Sequence, residues 1–134
     1  TSRYFFEKNE KPAITVEIGN PQILQDILID QTIEGVMRNF EYFKVIPKKS
    51  PILKEKPIFC SDSIWVFARS GGILEVFPRL GDIIKKGSTI GIQTDLFGKI
   101  IEKYKAPISG IVIGRKNTAS SQTGDRLLHI GVIE

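Results

Sequence analysis

The sequence has one cysteine, one histidine, one methionine and one tryptophan among 134 residues. A lone cysteine, Cys60, closes no internal disulfide, so covalent cross-links do not hold this fold, and a reducing, cytoplasmic setting is expected. Beside Phe59, Cys60 reads as a packed thiol and not as a nucleophile. One histidine, His129, and one cysteine are too few for a typical zinc site. No apolar run approaches the roughly 20 residues that a membrane helix needs, so no membrane is expected as a partner. The opening stretch, TSRYFFEKNEKP, is polar and has no secretory pattern. It does not begin with Met, and the chain reads as a fragment or a processed piece. Charge of one sign is also scarce: Lys+Arg number 19 against 15 Asp+Glu, a net charge of +4. Much of the excess comes from Lys44, Lys48, Lys49, Lys54 and Lys56. The aromatic or groove-fitting context of a nucleic-acid patch is missing around them, so they read as a solvated linker and no nucleic-acid partner is expected.

What is present is enough apolar material, 41% of residues, to bury a core in one ordinary domain or two small ones. Residues 12–18 read as a strand, because Ile14, Thr15, Val16 and Ile18 are β-branched. Gly19, Asn20 and Pro21 stop it. Residues 21–45 read as mostly helical, with Asn20 as cap and Pro21 in the first position. Ile23, Ile27 and Leu28, then Ile33, Val36, Met37, Phe40 and Phe43, recur at helical spacing. Ile29, Ile33, Phe40 and Phe43 suggest a core face, and the IDQT segment is a place where the helix could break. The segment PKKSPILKEKP, residues 47–57, carries three prolines and four lysines and reads as a connector.

After it the texture becomes β-rich and glycine-cut. Strands are expected at Ser63–Arg69, Ile73–Pro78, Ser88–Thr94, Ile100–Lys105, Ile111–Arg115 and Leu127–Ile133. An internal repeat links them: ARSGGILEVFPRLGDIIKKGSTIGI is echoed by APISGIVIGRKNTASSQTGDRLLHI. Gly72 and Gly110 match at an offset of 38, and Gly87 and Gly124 at 37. Two copies imply hairpin units related by a pseudo-twofold axis that bury a shared face.

The repeat resembles a biotinyl/lipoyl domain, carried by GDIIKKGSTIGI and KAPISGIV. The resemblance implies a flattened β-barrel over residues 58–134. Carrier domains of that kind present a modified lysine at the hairpin tip. Here the nearest lysine is Lys99, in TDLFGKIIEKY, without the family's flanking residues, and it reads as a solvated lysine at a strand start. With the first part included, nearly the whole chain resembles the C-terminal part of succinylglutamate desuccinylase/aspartoacylase-like zinc hydrolases. The segments that carry this are Thr15-Val16-Glu17-Ile18-Gly19, then Ala68-Arg69-Ser70-Gly71-Gly72, and TDLFGKIIEKYKAPISGIVIG. The implied organisation is a strand and helix from the end of a carboxypeptidase-like α/β catalytic domain at 1–46, a linker at 47–57 and the barrel at 58–134. The fold class expected is mainly β with one helical segment.

The resemblance gives Glu17 a role. On strand pattern alone it is a strand-end residue or an ion-pair partner. In the family, this glutamate is the general base. It takes a proton from a water that zinc activates and returns it to the leaving amine, a shuttle worth roughly 10²–10⁴-fold. The family's zinc ligands, two histidines and a glutamate, lie upstream of the matched segment, so no metal ligand is assigned on this chain and the 134 residues alone are expected to be inactive. His129 is expected to pack or to make a surface hydrogen bond. Glu7 and Glu10 lie in a polar leader and are expected to face water. Arg69, Arg79, Arg115 and Arg126 receive no assignment. The partners implied are the rest of the catalytic domain and a small N-acyl amino acid; a homo-oligomer stays open. The alternatives are a non-enzymatic biotinyl/lipoyl-like binding or adaptor module, and an inactive homologue that only binds.

Overall fold

The structure, a computed structural model, describes residues 2–20, 23–49, 51 and 57–133. They form two helices and eight strands, in two compact units, residues 1–54 and 55–134. The first unit holds α1 (Ser2–Asn9) and α2 (Asp26–Tyr42). The polar leader is therefore helical. Its aromatics Tyr4, Phe5 and Phe6 are consecutive and so carry no helical period, which is why the pattern did not mark it. The Asn9 side chain donates to the Phe5 carbonyl at 2.9 Å, and Glu10 leaves the helix with φ +52.

Helix α2 runs unbroken through IDQT. There the Thr32 hydroxyl bonds back to the Leu28 carbonyl at 2.6 Å, which satisfies it without breaking the helix. The helix begins at Gln25 as cap, without a side-chain cap bond, and not at Asn20. The expected first-turn Pro21 lies outside the described residues. The C-terminus closes with Val45 N–H donating to Phe40 O at 2.8 Å and Lys44 N–H to Glu41 O at 3.1 Å. Lys44 takes the left-handed conformation, φ +57, that this closure requires. No residue of α2 is buried. The apolar face read from the sequence exists, but Ile29, Ile33, Phe40 and Phe43 are all exposed. A helix buries its stripe only against a second layer. The same reason corrects the strand expected at 12–18: these residues form neither strand nor helix. A strand is defined by a ladder, and the described residues offer none there.

The second unit holds β1 (Cys60–Phe67), β2 (Gly72–Val76), β3 (Ile83–Ile84), β4 (Thr89–Thr94), β5 (Ile100–Lys105), β6 (Gly110–Arg115), β7 (Ser120–Ser121) and β8 (Arg126–Ile133). All six expected strands form, and β3 and β7, two residues each, are additional. The strands make two four-stranded antiparallel sheets, ordered β1-β8-β6-β3 and β5-β4-β2-β7. They do not close into the single barrel expected for 58–134.

The repeat is visible in the topology. Shifting each strand of one sheet by four positions in chain order yields the other sheet. Reciprocal bonds repeat the relation: Gly87 N–H donates to Ala106 O, and Gly124 N–H to Ala68 O, both at 2.8 Å. Both sheets feed one core, with Leu74, Ile90 and Tyr104 from one and Val112, Leu127, Leu128 and Ile130 from the other. Burying each large aliphatic side chain contributes about 1.5–3 kcal/mol.

Candidate functional site

The candidate site is in the first unit. Residues 12–19 and α2 border an open groove of roughly 730 Å³. Its wall is mostly apolar, including Ile14, Val16, Leu28, Val36 and Phe40, with Glu17 the single carboxylate among its lining residues. Glu17 is exposed. Among the described residues its carboxylate has no ion-pair or hydrogen-bond partner.

Just past Glu17 the chain reverses at Gly19, whose φ is +61. The turn is tied to α2 by Asn20 N–H donating to Gln25 Oε1 at 2.7 Å. Gly19 was legible as a stop. Gln25 was not, because nothing in the spacing singles out a neutral polar residue at a helix start. Among the described residues no group of three or more His, Cys, Asp or Glu side chains is placed to hold a metal ion.

The other residues singled out lie elsewhere. In the second unit, His129 stacks on Trp65, its cross-strand neighbour, with ring centroids 4.1 Å apart, and its Nε2 lies 2.9 Å from Ser63 Oγ. That is the packing and surface hydrogen bond expected of it. Lys99 is exposed beside β5, its N–H donating to Asp95 Oδ1 at 2.9 Å. Cys60 is exposed, against expectation, because it opens the edge strand β1, whose first five residues are all exposed. Glu7 and Glu10 face water. Arg69 pairs with Glu102 at 2.7 Å, Arg115 donates to the Pro78 and Val76 carbonyls, and Arg126 lies over the Trp65 ring. Of the lysine cluster, Lys44, Lys48 and Lys49 are exposed, and Lys54 and Lys56 lie outside the described residues. No helix among the described residues is long and apolar enough to cross a membrane.

No protein-family model matches the chain, and no curated protein matches it. Solved structures do. The product-bound ectoine utilization protein EutE (DoeB) from Ruegeria pomeroyi matches 95% of this chain at 21% identity and a TM-score of 0.85. A succinylglutamate desuccinylase from Silicibacter sp. TM1040 matches 96% at 21% identity and 0.83. A succinylglutamate desuccinylase/aspartoacylase protein from Shewanella frigidimarina NCIMB 400 matches 98% at 16% identity and 0.72. The chain spans 40%, 40% and 38% of those three proteins. Two of these three neighbours are thus described as succinylglutamate desuccinylase or succinylglutamate desuccinylase/aspartoacylase proteins, and this chain has the fold of about two fifths of each neighbour.

Proposed function

We propose that the chain is the C-terminal portion of a zinc-dependent deacylase that cleaves the amide bond of an N-acyl amino acid, and that Glu17 is its general base. The observation that carries this is Glu17 itself: a carboxylate that lines an apolar groove without a partner among the described residues, just before a tied turn. The likeness of fold to the desuccinylase structures supports the reading. In the complete protein, zinc held by residues outside this chain supplies the Lewis acid. Glu17 takes a proton from the attacking water as the new C–O bond forms at the amide carbonyl. It gives that proton to the amide nitrogen as the C–N bond breaks, so the carboxylate is regenerated each turnover. Residues 58–134 act as an accessory module of biotinyl/lipoyl-like type, and the protein works in the cytoplasm.

The test is the complete polypeptide that carries this chain, assayed on N-succinylglutamate and N-acetylaspartate. Glu17→Gln is expected to lower kcat roughly 10²–10⁴-fold, and a chelator to abolish turnover. Absence of hydrolysis of both substrates, or full activity in Glu17→Gln, removes the reading.

A further inference from the structure

Glu17 lies two residues before a bend at Gly19 that Gln25, at the start of α2, holds in place. A Cβ at Gly19 would sit 2.4 Å from Gln25 Oε1 and 3.0 Å from Leu28 Cδ1. That space is taken by the Gln25 amide, whose oxygen accepts the Asn20 N–H at 2.7 Å in a part-buried contact. Gln25 also opens α2: its carbonyl accepts Leu28 N–H at 2.9 Å and Ile29 N–H at 3.1 Å. A residue in this position ordinarily turns its side chain onto the first helical N–H groups. Gln25 makes no such cap bond. Its side chain is committed to the turn that precedes the helix.

We propose that Gln25 is a positioning residue for Glu17, tying the turn that follows the carboxylate to the first turn of the helix that forms the other wall of the groove. The inference rests on the general-base reading of Glu17. Three features make the tie specific. The acceptor must reach back from the helix start, which a side chain with two methylenes does. It must be an oxygen, because Asn20 offers an N–H. And the residue at position 19 must lack a Cβ, because the amide occupies that place. A proton shuttle works only within hydrogen-bond reach, and a displacement of about 1 Å is worth roughly 10²-fold in rate. Losing the tie therefore acts on the chemical step more than on substrate binding.

Gln25→Leu keeps similar bulk without the acceptor, and Gln25→Glu keeps the acceptor. The first measurement is the temperature coefficient of the Asn20 amide proton by NMR on the complete polypeptide. The amide is expected to be shielded in the wild type and in Gln25→Glu, and to become water-like in Gln25→Leu. A water-like Asn20 amide in the wild type, or no change in Gln25→Leu, overturns the tie. The second is steady-state kinetics of the complete polypeptide on N-succinylglutamate and N-acetylaspartate. Gln25→Leu is expected to lose roughly 10²-fold in kcat with KM unchanged, and Gln25→Glu to recover most of it. Wild-type kcat in Gln25→Leu, in an enzyme that Glu17→Gln inactivates, overturns the inference and leaves the role of Glu17 standing. Full activity in Glu17→Gln overturns both.

Discussion

At the residue scale the two units use polar side chains in opposite ways. In the second unit Gln93 is fully buried, and its amide is matched on both ends. Nε2 donates to Ser70 O at 2.7 Å, and Oε1 accepts from Ser70 Oγ at 3.0 Å and from Tyr104 OH. The Tyr104 oxygen in turn accepts Arg69 N–H at 3.1 Å, and the Arg69 guanidinium lies over the same ring. A buried amide is tolerable only when so satisfied. Tyr104→Phe leaves the Arg69 N–H without its acceptor and Gln93 with one donor fewer. It is expected to lower stability by about 1–3 kcal/mol, measured by urea unfolding. In the first unit the informative polar residue is Glu17, whose carboxylate has no partner among the described residues. Glu17 stood out in the sequence because a charge interrupts a β-branched run. Gln93 and Gln25 did not, because a glutamine's partners come from tertiary distance and leave no local pattern.

At the scale of elements, the hairpin repeat was the most legible feature, and its glycines show why. A Cβ on Gly110 would stand 2.2 Å from Gly131 O, and one on Gly72 would stand 2.3 Å from Thr94 O. The two positions occupy equivalent places in the repeat, and both clashes are with backbone of a neighbouring strand. Gly110→Ala must therefore move a strand, and its cost is expected to reach or exceed the about 1–3 kcal/mol typical of overpacking. Denaturant melts of residues 57–134 check this. The short strands β3 and β7 escaped the sequence reading because two residues carry no period, and they form only where a partner strand reaches them. The turn before β8 adds a pH dependence. The Gln122 N–H and then the Lys116 ammonium, both on Asp125 Oδ2, hold the Asp125 carboxyl below its ordinary 3.8. On acidification the unfolded chain takes up this proton first. The stabilisation is thus fully present above the ordinary carboxylate value and is lost as pH falls through the lower folded one. Asp125→Asn is expected to flatten the stability–pH curve of this unit below about pH 4, read from thermal melts across that range.

The whole molecule sets these two units in contrast. Residues 55–134 own a core to which both sheets contribute, with Ile90, Leu127, Leu128 and Ile130 at 0% exposure. Among the described residues of 1–54 none is buried, and large apolar side chains such as Ile27 and Ile33 stand open. Periodicity revealed that α2 has an apolar face. It could not reveal whether this chain also supplies the layer that covers it, since a stripe reads the same either way. The physical consequence is a difference in autonomy. A unit stands alone when it buries enough surface to offset its ordering entropy. Residues 57–134 are expected to do so: made as a separate piece, they should unfold in one cooperative transition, with the amides of β4, β6 and β8 the slowest to exchange in hydrogen-exchange NMR. Residues 1–51 made alone should instead show weak dispersion, bind a dye that reports exposed apolar surface, and gain order only when the complete polypeptide is present. A cooperative melt from the 1–51 piece would mean that its apolar face finds cover within itself, and the groove beside Glu17 would then be filled by its own walls.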